Sequence, residues 1–383
     1  MPFRRRLDRA VIFLRRRGVV ATLREVASRA QQRLLSKGRP TAVHIEISGC
    51  CNLHCEYCAL DQATTGAKVM SMSTFDAVLP ALSEVRRIDL SGLAEPLMNK
   101  HLVEMLIKAR AASPHAHIAL STNATILTPE ISEQLIREGL DELVFSLDGV
   151  DPGQVDAIRT GGSLNDVTTN IRELRDLKQR MGSTKPAVSA AVVLQHSNLA
   201  QLPDIVRLAS ELGCEGVSVN GLEPYSAELV ESAIWIDPSA SPGLEETLRD
   251  AQAVARSLGV DLRLPAMSVQ AALCPQAARP IILADGSVVP CSVLAYSRPS
   301  FVQVDEAGGL IHSQRDVQPL AFGNISAGGV EAIWNSDAYR AFRHRVASGN
   351  VAPECETCLM TRGVICSVPP LTADQSIASI SQR

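Results

Sequence analysis

The run CNLHCEYC places Cys51, Cys55 and Cys58 in one short loop at x3 and x2 spacing. Thiolates are soft ligands that take zinc, or iron in sulfide clusters. Three of them from one loop can ligate three irons of a cubane and leave the fourth without a protein ligand. An open iron can be chelated by a small molecule and can pass it an electron. A zinc site is the alternative, but it prefers four ligands and paired CxxC spacing. Cys50 lies out of register with the other three and is expected to be a bystander.

A second group lies far downstream: Cys274, Cys291, Cys355, Cys358 and Cys366, separated from the first by a stretch that holds only Cys214. Cys214, on the turn into a predicted strand, reads as a small core residue. Ten cysteines in a chain of 383 residues do not form the dense framework of a short secreted domain. The apolar run at residues 10–14 is cut off by Arg15, Arg16 and Arg17, too early for a signal peptide or a membrane span. The expected compartment is a reducing cytosol.

These cysteines must be carried by something, and the chain supplies alternating strand and helix patterns. Short β-branched runs occur at 42–48 (AVHIEIS), 87–91 (RIDLS), 117–122 (HIALST), 142–147 (ELVFSL), 188–194 (VSAAVVL) and 216–219 (GVSV). Each is followed by a helix-length segment with Ser, Thr or Asp near its start, among them one expected near 73–85. Parallel strands with right-handed crossovers build a barrel or a doubly wound sheet. A full eight-unit barrel takes about 250 residues, so residues 41–220 suit roughly six units. The fold class is therefore α/β, a partial (β/α)6 TIM-like barrel whose loops at the strands' carboxyl ends carry the motifs.

Further on, a helix near 244–258 and an extended piece at 261–264 precede a change of character. Strands at 281–283 and 288–289 flank Asp285-Gly286, a two-residue hairpin signal. EAIWNSDAYRAFRHRV reads as one helix with Trp334, Tyr339 and Phe342 on its packing side. Expected units are a basic helical extension at 1–40, the barrel at 41–222, a connection at 223–273, a small cysteine-rich hairpin/helix domain at 274–368, and a loose Ser-, Thr- and Pro-rich tail at 369–383.

Composition excludes some functions. A net charge of −4 and 3% aromatic residues argue against nucleic-acid binding. Residues 1–40 differ from the rest, with eleven Arg and one Lys against Asp8 and Glu25. This stretch reads as an amphipathic helix packed on the acidic body, or as a patch for an acidic partner or an anionic membrane surface.

The cysteine loop after a first strand, with Tyr57 just before the third cysteine, resembles the radical S-adenosylmethionine (SAM) superfamily. The resemblance implies a [4Fe-4S] cluster on Cys51, Cys55 and Cys58 whose open iron chelates SAM. Reductive cleavage of SAM then yields methionine and a 5′-deoxyadenosyl radical. SGLAEPL is similar to the family's GGE-like segment, with Gly92 and Glu95 matching and Ala94 in a glycine's place. STNATIL looks like its TNG segment, which implies Asn123 near SAM and again an alanine, Ala124, for glycine. FSLDG implies contacts from Ser146 and Asp148, and Arg159 matches an arginine that pairs with the SAM carboxylate. Tyr57 is counted with these, and VVLQHSN offers His196 and Asn198 as weaker candidates.

The downstream cysteines, with Cys291 closing the hairpin and FGNI before the Trp334 helix, resemble SPASM/twitch extensions, which carry auxiliary iron-sulfur clusters. A complete SPASM module has seven cysteines and this region has five. The shorter twitch arrangement maps one auxiliary [4Fe-4S] cluster onto Cys274, Cys291, Cys355 and Cys358; a structural zinc ribbon is the alternative. Cys366 is then a substitute ligand, part of an incompletely ligated second cluster, a buried thiol, or a hydrogen donor to a substrate radical.

The resemblance implies a radical SAM oxidoreductase-type enzyme served by a flavodoxin- or ferredoxin-type electron donor. The expected substrate is a small molecule such as a sugar, cyclitol or antibiotic precursor, which is oxidised or epimerised. Some 40 residues before the barrel are few for a peptide-recognition domain. Maturation of a ribosomal peptide is the enzyme alternative, and a non-catalytic metal-binding scaffold the alternative of another class.

Overall fold

The protein is described by a computed structural model covering residues 38–60, 68–236, 241–265, 274, 276, 279–304, 310–348, 350, 355 and 358. The basic extension before residue 38, Cys366 and the tail lie outside the described residues.

Among the described residues fourteen strands follow in chain order: β1 (Ala42–Ile45), β2 (His54–Cys55), β3 (Arg87–Asp89), β4 (His117–Thr122), β5 (Glu142–Ser146), β6 (Arg159–Thr160), β7 (Ala187–Leu194), β8 (Gly216–Gly221), β9 (Asp261–Arg263), β10 (Ile281–Ile282), β11 (Ser287–Val289), β12 (Arg298–Val304), β13 (Leu310–Val317) and β14 (Gly323–Asn324). Ten of them form one sheet in the order β14-β11-β10-β1-β3-β4-β5-β7-β8-β9. From β10 to β9 every pairing is parallel. The six strands expected from sequence are its consecutive centre. β9, the expected extended piece, adds to one edge. The hairpin strand β10 adds to the other, with His44 opposite Ile281.

Strand alternation decides what faces where. Val43, Ile88, Ile118, Leu143, Val188 and Val217 are buried and belong to the core shared with the helices. The residues between them face inward, and at the carboxyl ends they are small. Ser146 lies opposite Ala191, and Ala191 opposite Ser218, all three only partly buried, while Ser121 is exposed. The inner face is thus open to solvent where the reactive loops sit. Its lower end is closed by charge. Arg87 bridges Asp89 and Glu142 at 2.8 and 3.0 Å, His117 meets Glu142 at 2.9 Å, and Arg279 reaches Asp89 at 2.7 Å. Burial pushes the Asp89 carboxyl up, but Arg87 and Arg279 outweigh this and hold it below its usual value.

The helices start where small oxygens cap them. Ser71, Thr128, Asp151 and Ser163 accept from backbone N–H groups at the starts of Met72–Val78, Pro129–Arg137, Pro152–Ile158 and Leu164–Arg180. The helix expected near 73–85 ends early and continues as a 3₁₀ turn, Leu79–Leu82, because Pro80 enters it. No helix among the described residues is long and apolar enough to cross a membrane.

Two local expectations are corrected. The hairpin loop has three residues, since the Leu283 amide bonds to the Ser287 carbonyl and the Gly286 amide back to Leu283, with Gly286 at φ +86°. The Trp334 segment is two helices, Gly329–Trp334 and Asp337–Ser348. They part at Asn335, whose side chain donates to the Gly38 carbonyl, and at Ser336, which accepts from the Tyr339 amide. The β12–β13 hairpin and the small β2–β6 pairing were not anticipated.

Asp141 clamps the bottom of the sheet. It accepts from Arg110, from the Ile118 amide and from Lys185, which come from three different segments. Burial raises its pKa, but Lys185, the Ile118 amide and Arg110 together depress it. Its stabilisation is therefore present at neutral pH and is lost as pH falls through about 4 and below. Asp141→Asn is expected to cost about 2 kcal/mol at neutral pH and to flatten acid sensitivity in denaturant titrations. Equal stability of the two proteins at pH 7 would refute the clamp.

Candidate functional site

β1 runs into the cysteine loop, and backbone bonds fix the loop before any metal arrives. Gly49 donates to the Lys68 carbonyl at 2.8 Å, and Glu95 to the Cys50 carbonyl at 3.0 Å. The Ser48 hydroxyl donates to the Cys50 carbonyl and accepts from the Cys50 amide. Two thiols already receive amide donors at 3.4 Å, Cys51 from Leu53 and Cys58 from Leu60. Burial is the main cause that raises all three thiol pKa values, and Cys55 reaches about 11. Cys51 and Cys58 each raise Cys55 further, so the three sulfurs are electrostatic neighbours. Metal-free, they hold protons that iron must displace.

Among the described residues no three His, Cys, Asp or Glu converge on a single ion. Cubane irons sit at separate corners, one thiolate each. Three soft donors, two of them with amide hydrogen bonds to sulfur, fit that group.

The β2–β6 pairing sets Cys55 opposite Arg159. Arg159 spends its donors on three partners: Nε on Asp148 Oδ2 at 2.6 Å, Nη2 on the Tyr57 hydroxyl, and Nη1 toward Cys55 Sγ at 3.9 Å. Tyr57 also donates to Asp148, whose Oδ1 accepts the Val193 amide at 2.8 Å. Burial disfavours the Arg159 charge, but Asp148 and then Tyr57 and Cys55 outweigh it, so the guanidinium stays cationic beside the loop. Burial, then Asp148, pushes the Tyr57 phenol up and keeps it protonated.

Asn123 joins the same group from the end of β4. Its Nδ2 donates to Asn52 at 2.9 Å and lies 3.9 Å from Cys51 Sγ. Glu95 is nearby but turned inward. Its carboxylate accepts from Thr122 at 2.7 Å, the Asn123 amide at 2.7 Å and the Leu97 amide at 3.0 Å, so the side chain shapes the loop. Ser146 sits on the open inner face. Asn198 is fully buried and donates to the Asp148 and Val193 carbonyls, tying β5 to β7. His196 faces away, to Ser241 at 2.9 Å.

The structure adds residues that sequence reasoning missed. Glu46 is buried on the inner face, accepts from the Tyr296 hydroxyl, and has its pKa raised by burial. The signal available was a lone acid in the apolar run AVHIEIS. Gly92 exists for it, because a Cβ there would come within 2.3 Å of Glu46 Cγ. Gln195 is fully buried, gives Nε2 to Glu56 at 2.9 Å and leaves Oε1 without a hydrogen-bond partner. Ala124 has φ +60°, which explains why the resembling segment carries glycine there.

In the second cysteine group, burial and then the neighbouring Cys274 and Cys358 thiols push Cys291 well up, with Cys355 adding to them. Cys355 and Cys358 form one turn, Cys358 N–H to the Cys355 carbonyl at 3.2 Å. These four thiols are brought together, a donor set that could hold an iron-sulfur cluster. Cys291 lies two residues past β11, on the side where β10, β11 and β14 extend the sheet beyond β1.

Residues 45–209 match the model of the radical SAM superfamily, and residues 274–359 that of the SPASM iron-sulfur cluster-binding domain. The chain is 26% identical over 325 residues to a tungsten-containing aldehyde ferredoxin oxidoreductase cofactor-modifying protein of Pyrococcus furiosus, covering 82% of this chain and 86% of that one. It is 26% identical over 312 residues to a PqqA peptide cyclase of Gluconobacter oxydans, covering 79% of each. Streptococcus suis SuiB bound to precursor peptide SuiA shares the fold, with a TM-score of 0.57 at 14% identity over 89% of this chain and 74% of its own length.

The two glycine-like positions give opposite expectations. At Ala124, relief of about 1–2 kcal/mol of left-handed strain is offset by a lost buried methyl, about 0.8 kcal/mol, and a looser unfolded chain, about 0.4–1 kcal/mol. Ala124→Gly should therefore change stability by less than about 1 kcal/mol. Gly92→Ala overpacks Glu46 and should cost about 1–3 kcal/mol. Chemical denaturation of both variants checks this, and a fully stable Gly92→Ala would contradict it.

Proposed function

From the premise that the chain is a member of the radical SAM superfamily with a SPASM-type iron-sulfur domain, we propose that it oxidatively modifies a peptide. Cys51, Cys55 and Cys58 hold the SAM-cleaving [4Fe-4S] cluster, and Cys274, Cys291, Cys355 and Cys358 the auxiliary one. The cluster and SAM together supply a 5′-deoxyadenosyl radical, which takes a hydrogen atom from an unactivated carbon. Arg159, kept cationic by Asp148, is suited to a carboxylate, and Asn123 and Tyr57 hold the cysteine loop against it. Loss of one further electron to the auxiliary centre and one proton to a base completes a two-electron oxidation of the substrate.

The observation that carries the substrate class is the likeness to a peptide cyclase over 79% of each chain. The open inner face, lined by Ser121, Ser146, Ala191 and Ser218, supports it by leaving room for a chain of residues. This shifts the preference away from the small molecule expected from sequence. The likeness to a cofactor-modifying protein keeps a small-molecule substrate as the second reading.

The test uses the anaerobically reconstituted chain with dithionite, SAM and the short peptide encoded nearest its gene. The expected result is 5′-deoxyadenosine in step with a peptide lighter by two hydrogen atoms, and none from a Cys55→Ala control. Production of 5′-deoxyadenosine with an unchanged peptide, but with conversion of a small metabolite, would move the assignment to the second reading.

A further inference from the structure

The loop after β3 is fastened at its two ends and not between them. The Leu90 amide donates to the Ala119 carbonyl at 2.8 Å and the Glu95 amide to the Cys50 carbonyl at 3.0 Å, while among the described residues no backbone–backbone hydrogen bond holds residues 91–94. Those peptide groups are left for a ligand, yet something must set where they point. Glu46 does so. A Cβ on Gly92 would meet Glu46 Cγ at 2.3 Å and Oε2 at 2.6 Å, so the Gly92 backbone rests directly on this side chain. A Cβ on Gly49, two residues before Cys51, would lie 3.7 Å from Oε1. Glu46 is 2% exposed, and among the described residues no cation pairs with it. A buried carboxyl without a cation needs fixed donors to keep one orientation. The Tyr296 hydroxyl donates to Oε1. The tyrosine ring is seated on the C-terminal hairpin against Ile281, Leu283, Val289 and Ala295, five residues past Cys291. A phenylalanine would fill that seat equally well, so the hydroxyl serves Glu46.

We propose that Tyr296 is a positioning residue for SAM: through Glu46 it holds the backbone of residues 91–94 in the conformation that receives SAM, so that affinity at the first cysteine group depends on the hairpin that follows the second. This rests on the reading of the chain as a SAM-cleaving enzyme with Gly92 in its SAM site, and not on the identity of the substrate. Without the hydroxyl, the buried carboxyl loses a donor and must rotate or take up a proton. Either change shifts the atoms on which Gly92 rests. The fraction of molecules whose loop is already competent enters the ligand's apparent affinity directly, so a loosened loop binds more weakly even though every group that touches SAM is still present. Tyr296 thus acts on SAM through a second side chain, from the other half of the molecule.

The experiment compares the anaerobically reconstituted full chain with its Tyr296→Phe variant, at equal iron and sulfide content. Hydrogen–deuterium exchange without SAM reads the loop alone, and the amides of residues 91–95 should exchange faster in the variant while the rest of the barrel does not. Equilibrium dialysis against radiolabelled SAM reads the consequence. The dissociation constant should rise about tenfold, the scale of one hydrogen bond to a charged group. In turnover, KM for SAM should rise by a similar factor while kcat at saturating SAM stays within about twofold, a split that general loss of structure would not give. If Tyr296→Phe does not fold, Glu46→Gln decides, with the same faster exchange and weaker binding expected. Unchanged SAM affinity overturns the inference, whether or not the loop loosens. A wild-type chain that carries its clusters but binds no SAM removes the reading of the first site, and the inference with it.

Discussion

The buried ion pair between Arg159 and Asp148 is the constraint on which the site depends. Asp148 is completely enclosed at the end of β5, and a carboxylate there requires a cation and donors around it. The Val193 amide, the Tyr57 hydroxyl and the Arg159 guanidinium supply them, and each comes from a different segment. Satisfying one charge therefore joins the end of β5, the end of β7, the cysteine loop and the β6 turn. The same arrangement leaves a positive charge beside Cys55, where a thiolate-ligated cluster and a carboxylate-bearing nucleotide would add negative charge. Structural need and chemical need coincide at that guanidinium.

A second constraint couples the two halves of the chain. The C-terminal hairpin is not a separate layer: β10 continues the parallel sheet beside β1, and β11 and β14 follow it. Tyr296, just past Cys291, reaches back to the Glu46 carboxyl directly after β1, and Gly92 on the β3 loop makes room for that side chain. The loop that resembles a SAM-binding segment, the strand that leads into the first cysteines, and the turn that follows the second group thus share one buried contact. The relation between the two cysteine groups is set by strand pairing and by this carboxyl group, which lie between them.

Much of this could be read from the chain. Cys51, Cys55 and Cys58 announce themselves because ligand spacing in one loop is a local property. The six central strands are legible because strands buried against helices show as β-branched runs. Asn123, Asp148 and Arg159 were found through short segments at strand ends, and all three do meet around the loop. Glu95 was found as well, but its side chain supports the loop from beneath, a distinction of direction that no motif carries. Glu46, Tyr296 and Gln195 escaped notice because each is a single polar residue in an unremarkable segment. Their importance comes from burial, which depends on what lies across the space.

By itself the sequence determined the ligand types, the alternation of strand and helix, and the residues that tolerate unusual backbone angles, since these depend on covalent spacing and local periodicity. Only the tertiary structure decided that the cysteine-rich hairpin joins the barrel sheet and that Arg159 sits opposite Cys55. Those facts arise from pairings between residues about a hundred or more positions apart. Long-range contacts are selected by the total burial and hydrogen bonding of the whole chain, and no window of sequence contains them.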